Sequence, residues 1–206
     1  QMTHLDCSGN RLSTIDIQNL QSLKEFDATD NPDLKTIRVW NGFSAPAGFS
    51  KPDGASYVEP EINIPAGYKL AWQEEFNEAG TASPSMTKWW YETGDSGWGN
   101  HELQDYVSGK YGNEQLAVIS NGTLKIIAKK IDSKVRSIRM NTLDSWTYGY
   151  FEARLKLPSG KGTWPAFWMM PKNFKAWPDD GEIDIMEEVG YNPNRVSSSI
   201  HCKAYN

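Results

Sequence analysis

The chain has 206 residues and 21 Lys and Arg against 26 Asp and Glu, giving a formal net charge of -5 at pH 7. Hydrophobic residues at 38% and charged residues at 23% supply enough apolar surface for a packed core and exclude a disordered tail. The absence of basic blocks disfavours a nucleic-acid binder, which needs phosphate neutralisation. No run approaches the roughly 18 apolar residues of a transmembrane segment, and Cys7 and Cys202 are too few for a disulfide framework.

Aromatic content is the outlier, with 9 Trp, 9 Tyr and 7 Phe. Such an excess fills a large core or stacks on a flat ligand. The chain starts at Gln1 without a leader pattern, and Ser197 to Asn206 has no closing element after it. Both ends are therefore expected to be cut from a longer protein.

The first forty residues contain a repeat. Leu5, Asp6, Cys7, Ser8, Gly9 and Asn10 align with Phe26, Asp27, Ala28, Thr29, Asp30 and Asn31; Leu12, Ile15 and Ile17 align with Leu34, Ile37 and Val39. The pattern resembles a leucine-rich repeat. That resemblance implies an Asn that satisfies backbone groups inside each turn and apolar positions that stack between coils. Residues 1–40 are assigned to this repeat fragment. Residues 41–67, rich in Gly and Pro, are expected to be a linker with one short strand at most.

From Tyr68 onward the chain is predicted to be all-β. Leu70 to Gln73 is a short strand. Gln115 to Ile119 and Thr123 to Ala128 flank Ser120-Asn121-Gly122 as a hairpin. Arg136 to Thr142, Trp164 to Met170, Glu182 to Val189 and Arg195 to Lys203 are further strands. Tyr148 to Leu157 alternates cleanly, with Phe151, Ala153, Leu155 and Leu157 on one face. Many short strands without helical periodicity point to an antiparallel sandwich.

The strongest signal is Glu182-Ile183-Asp184-Ile185-Met186-Glu187. Glu182 and Asp184 share a strand face while Ile183 and Ile185 point to the core. Strict alternation would bury Glu187 and expose Met186, against the preference of both. One extra residue at or near Met186, a β-bulge, brings all three acids to one face. Close acids repel, so at least one pKa must rise. An ionised and a protonated carboxyl about 5 Å apart are the requirement for retaining glycoside hydrolysis. A solvated acidic face or a calcium cluster are the alternatives; the first needs no bulge, and the second draws its ligands from loops.

At these residues the chain resembles glycoside hydrolase family 16, in its laminarinase-like branch. The surrounding segments that carry the resemblance are Trp72 to Asn77, Gly97 to Gln104, Tyr148 to Arg154 and Gly162 to Met169. The resemblance spans residues 68–206. It implies a β-jelly roll, incomplete here at its C-terminal side, that endo-cleaves β-1,3 or mixed β-1,3-1,4 glucan. It also implies Glu182 as nucleophile, Asp184 as its assistant and Glu187 as general acid/base.

Trp164 and Trp168 share a polar face and are candidate platforms for sugar rings, whereas Trp98 and Trp177 lie in loops where a Trp is as often a packing plug. Arg154 and Asn100 are candidate sugar contacts by resemblance. His201 should sit across from the acids, as a partner of Glu187 or of sugar.

No cofactor or catalytic metal is expected, and His4, His101 and His201 lack zinc spacing; a structural calcium belongs, by resemblance, to the complete domain. The expected partner is a polysaccharide, and the expected state a monomer. A polymer substrate implies an exported, cell-envelope protein, like surface proteins of Bacteroidetes-type bacteria. A non-catalytic glucan-binding module and a galactan-cleaving enzyme are the competing readings. The 206 residues alone are expected to leave Phe151, Leu155, Phe167, Met169, Ile183 and Ile185 uncovered and to be molten and inactive.

Overall fold

The structure is a computed structural model that describes residues 2–62, 64–78 and 81–204. Among the described residues every regular element is a strand. The chain divides into two compact units, Gln1–Leu143 and Asp144–Asn206.

The first unit begins with a stack of parallel strands. β1 (His4–Asp6), β3 (Glu25–Asp27) and β5 (Phe49–Ser50) form one sheet; β2 (Thr14–Asp16), β4 (Thr36–Arg38) and β6 (Ser56–Val58) form another. Leu5, Phe26 and Phe49 stand in register in the first, and Ile15, Ile37 and Tyr57 in the second. Side chains alternate along a strand, so each strand's central residue can be apolar while its neighbours are polar. These residues pack with Ile17, Leu23, Ala28, Leu34, Val39 and Ala55 into one core.

Asn31 is fully buried in this core. Its amide donates to the carbonyls of Cys7, Ala28 and Thr29 at 2.9, 3.0 and 3.2 Å, and its Oδ1 accepts the Leu12 N–H at 3.0 Å. Asn10 donates in the same way to the carbonyls of Cys7 and Ser8. Buried backbone carbonyls need partners, and an amide side chain supplies two donors for them.

Residues 41–67, expected from composition to be a linker, contribute β5 and β6 and so extend both sheets by a third coil. That coil lacks the Asn. Instead the Lys51 ammonium donates to the Ala55 carbonyl at 2.6 Å and lies 5.7 Å from the Tyr57 ring centre.

The rest of the first unit is built from short ladders. β7 (Trp89–Glu92) and β15 (Arg139–Thr142) are antiparallel; β8 (Asp105–Tyr106) joins β14 (Lys134–Ser137), which pairs with β13 (Lys129–Ile131). β9 (Lys110–Tyr111) pairs with β10 (Glu114–Gln115), and β11 (Ala117–Ile119) with β12 (Leu124–Ile126). The last pair is the hairpin that Asn121-Gly122 predicts; both turn residues have positive φ, 53° and 64°. Leu116, Ala117 and Ile138 centre a second core. The Arg136 to Thr142 segment is two strands, β14 and β15, rather than one.

The second unit holds one three-stranded antiparallel sheet, in the order β16 (Ala166–Met169), β17 (Glu182–Glu188), β18 (Val196–His201). Two predicted strands are absent from the ladders: Leu70 to Gln73 and Tyr148 to Leu157. In the second, Phe151, Leu155 and Leu157 line an open depression of about 380 Å³ together with Phe167, Ile185 and Met186. The two faces are not cleanly separated, since Glu152 lines the same depression as its apolar neighbours. Alternation in sequence marks an apolar face, but a ladder also needs a neighbour for the backbone. Ile183, Leu155 and Ile200 remain exposed, whereas Phe151, Phe167, Met169 and Ile185, also expected to be uncovered, are half-buried.

Candidate active site

β17 carries the three acids, and its register explains how they reach one face. Against β16, Glu187 stands opposite Ala166, Met186 opposite Phe167, Asp184 opposite Trp168 and Ile183 opposite Met169. Ile185 is skipped. Against β18, Asp184 pairs with Ser199 and Glu187 with Ser197, again one residue out of step. β17 thus contains one residue more than either neighbour between Asp184 and Glu187, and its phase flips there. Glu182, Asp184 and Glu187 therefore share a face with Trp168, Ser197, Ser199 and His201. Met186 falls on the opposite face, beside Phe167.

The edges of the sheet bring two indoles onto these acids. The Glu188 N–H donates to the Pro165 carbonyl and the Gly190 N–H to that of Thr163, so the β16–β17 pairing extends back past Ala166. Gly190 is buried, and a Cβ there would collide with the Gly160 carbonyl; only glycine permits this approach. Trp164 is thereby placed beside Glu187, and its Nε1 donates to Glu187 Oε1 at 2.9 Å.

On the other side, Trp177 lies in the loop between β16 and β17 and donates from Nε1 to Glu182 Oε2 at 2.6 Å. Asp180 closes that loop by accepting the N–H groups of Lys175 and Ala176 at 2.6 and 2.9 Å. Those backbone bonds hold its carboxyl below the usual range. Asp179 is ion-paired with Lys203 at 3.1 Å.

Asp184 is the most deeply placed of the three acids, 4% exposed. Burial pushes its carboxyl up to about 6, and the neighbouring charges of Glu182 and Glu187 add to the rise. His201 opposes it, with Nε2 at 3.1 Å from Asp184 Oδ2. The expected partner of His201 was Glu187 or sugar; the structure gives it Asp184 instead, because the register sets His201 across from Glu182, with Asp184 the next acid on that face. The Trp177 ring packs on the imidazole, with ring centres 5.6 Å apart.

The remaining candidates lie outside the three strands that carry the acids and their neighbours. Arg154 is exposed on the segment that forms no ladder. Trp98 and Asn100 belong to the first unit. The Trp98 indole donates to the Gly94 carbonyl at 3.2 Å, meets Tyr106 edge-on and carries the Arg139 guanidinium 4.6 Å from its ring centre. Those contacts give Trp98 a packing role in its loop. Asn100 donates to Glu102 Oε1 at 3.3 Å, and Glu102 Oε2 accepts the Tyr106 hydroxyl at 2.6 Å. Burial and that carboxylate raise the Tyr106 phenol to about 12. Among the described residues no group of three or more His, Cys, Asp or Glu side chains is arranged to hold a metal. Among the described residues no helix is long and apolar enough to cross a membrane.

Three features of the site are not specified by the sequence pattern: the indole bond of Trp177, that of Trp164, and the Asp180 loop closure. An Asp two residues past a Trp-Pro in a loop hints at local side-chain-to-backbone closure; nothing in the pattern indicates where an indole N–H will point.

An all-β chain with a bulged carboxylate strand and indoles at both outer acids defines a class of carbohydrate-active proteins, and the comparisons agree. Residues 104–206 match Glycosyl hydrolases family 16, and the chain belongs to that family. It is 46% identical over 148 residues to a β-glucanase of Rhodothermus marinus, a match that covers 68% of this chain and 50% of that protein. The laminarinase of Flavobacterium sp. UMI-01 superposes with a TM-score of 0.59 at 42% identity, covering 67% of this chain and 60% of that one. SCLam, described as a non-specific endo-β-1,3(4)-glucanase, superposes at 0.60 with 41% identity over 70% of this chain and 57% of its own. The chain spans about half the length of the curated β-glucanase it matches.

Proposed function

We propose that the protein is a retaining endo-β-glucanase that hydrolyses β-1,3 or mixed β-1,3-1,4 linkages. The observation that carries this is the bulge in β17, which turns Glu182, Asp184 and Glu187 to one face with Trp168. The likeness to a β-glucanase, a laminarinase and an endo-β-1,3(4)-glucanase supports the substrate class.

Glu182 attacks the anomeric carbon while Glu187 protonates the departing glycosidic oxygen. A covalent glycosyl-enzyme forms on Glu182. Glu187 then takes a proton from water, and that water releases the sugar with its configuration retained. Asp184, with its proton affinity raised to about 6, hydrogen-bonds Glu182 and tempers the charge that gathers between the acids. Trp168 and Trp164 offer ring faces for glucose units.

The complete catalytic domain is proposed to be an antiparallel jelly roll. The parallel stack of residues 4–58 is proposed to be a leucine-rich-repeat segment, supported by its two in-register sheets and the Asn10 and Asn31 bonds. A polymer substrate places the protein outside the cell or in its envelope, acting as a monomer.

The test is product analysis by the full-length protein on laminarin, mixed-linkage glucan and a galactan panel. Glu182→Gln should leave less than about one per cent of the parent turnover while glucan binding persists. Turnover above that level removes Glu182 as nucleophile.

A further inference from the structure

We infer that Trp177 and Trp164 are positioning residues that sort the oxygens of the two outer carboxylates, one held by an indole and the other left to react. The inference rests on the assignment of Glu182 and Glu187 proposed above and adds two residues and a division of labour to it.

The argument begins with what an indole can do. Its Nε1–H only donates and never accepts. A carboxyl oxygen that accepts it must present a lone pair along that direction. Glu187 Oε1 accepts from Trp164 at 2.9 Å. When Glu187 is protonated, a hydrogen on Oε1 would compete with the indole for the same region, so the transferable proton resides on Oε2. Glu182 Oε2 accepts from Trp177 at 2.6 Å. That bond withdraws electron density from Oε2 and fixes the carboxylate plane, so the bond to the anomeric carbon forms from Oε1. In both carboxylates the second oxygen is the one that exchanges bonds.

The supports differ, which makes the two indoles separable. Trp164 is set by the backbone bonds from Glu188 and Gly190 to residues 165 and 163. Trp177 is set by the Asp180 loop closure and by its packing on His201. His201 in turn holds Asp184 at 3.1 Å. Trp177 thus orients Glu182 directly and, through the imidazole, steadies the Asp beside it. A sugar platform would present its ring face to the ligand and would have no need for its N–H to be committed to a carboxylate. Both side chains are about half exposed, at 49%, so each can hold an acid with its edge and still meet a sugar with its face.

The two roles predict different kinetics in the full-length protein. Trp164→Phe weakens proton delivery, so turnover of glucan should fall about tenfold or more. The glycosylation burst with an aryl β-glucoside oligomer, whose dinitrophenolate leaving group needs no proton, should fall far less than glucan turnover, while its steady-state rate still reports Glu187 as base in the second step. Trp177→Phe weakens the nucleophile's placement, so both substrates should slow by about tenfold or more in kcat, with KM changed less than about threefold. Replacement of Trp177 by benzothienylalanine keeps the ring and substitutes sulfur for N–H. It should reproduce the loss of Trp177→Phe, and it carries the test if the Phe variant folds poorly.

A parent-like kcat in the benzothienylalanine protein would overturn the role of Trp177. A glycosylation burst with the aryl substrate that Trp164→Phe slows as much as glucan turnover would overturn the assignment of Trp164 to proton delivery. Glu182→Gln run in parallel separates the levels: if it stays active, the underlying assignment fails, whereas an inactive Glu182→Gln beside a fully active isostere fails only the present inference.

Discussion

The stack of residues 4–58 and the sheet of residues 166–201 are both built from short strands, yet they bury opposite kinds of side chain. In the stack Phe26, Ile17, Leu34 and Ile37 are at or below 1% exposure. In the sheet the most buried side chain is a carboxylate, Asp184, while Ile183 and Ile200 on the reverse face are 47% and 73% exposed. A buried acid is unfavourable unless it is protonated or paired; Asp184 is shifted toward the first and receives the second from His201. The stack is arranged for burial, and the sheet for holding charge close to charge. Sites that do chemistry tend to carry such shifts.

The sharpest way to break this comparison is to truncate one large residue in each region. Phe26→Ala should cost about 3–5 kcal/mol, since a fully buried aromatic leaves a cavity that two tight sheets cannot close. Ile200→Ser should change stability by less than about 0.5 kcal/mol, since most of that side chain already meets solvent. Denaturant melts of each variant against the parent measure both. Equal losses would mean that the sheet's reverse face contributes as much as the stack's core.

A smaller effect sharpens the comparison within the stack. Asn10 and Asn31 each donate to two carbonyls of their own turn, but Asn31 is fully buried and also bonds the Cys7 carbonyl and the Leu12 N–H, whereas Asn10 is exposed. Asn31→Ala strands the buried Ala28 carbonyl, while the Thr29 carbonyl keeps the Gly9 N–H, and should cost about 1–3 kcal/mol. Asn10→Ala should cost less than about 1 kcal/mol, because water replaces the lost amide. If the two substitutions are equivalent, burial is not what gives Asn31 its weight.

How much of this was legible follows from the kind of information each feature needs. The bulge could be read because Met186 and Glu187 cannot both satisfy strict alternation, a conflict internal to β17. The Asn121-Gly122 hairpin is equally local. Two coils of the stack were visible as a repeat. The third was hidden because it is shorter: Phe26 and Ile37 are eleven residues apart, but their register partners Phe49 and Tyr57 only eight. Its interior donor is also an ammonium, from Lys51, in place of an Asn amide. The 148–157 segment shows the converse, a clean alternation without a ladder, because pattern encodes faces and not neighbours. The indole bonds to Glu182 and Glu187 lay beyond reach, since they depend on loop closure by Asp180 and on the close approach at Gly190.

The subtlest prediction concerns the proton on Asp184. Its carboxyl rises from 3.8 to about 6 on folding, so the folded protein holds this proton more tightly than the unfolded chain. Below about pH 3.8 both states are protonated and the group contributes nothing. As pH rises toward 6 the unfolded chain ionises first, so stability is lost across that window and the deficit stays constant above it. Asp184→Asn has no proton to lose. Its stability relative to the parent should therefore climb between pH 4 and 6 and level off at higher pH. The other groups facing Asp184 set the size of the effect: Glu182 and Glu187 raise its proton affinity, and His201 lowers it. His201→Ala should accordingly carry the midpoint above 6 and extend the window upward. Denaturant unfolding of parent, Asp184→Asn and His201→Ala at half-unit steps from pH 4 to 7.5 reads all three curves. A relative stability of Asp184→Asn that is flat from pH 4 to 6 would show that Asp184 ionises as readily in the fold as outside it, and the contrast between a core built for burial and a face built for charge would lose its energetic basis.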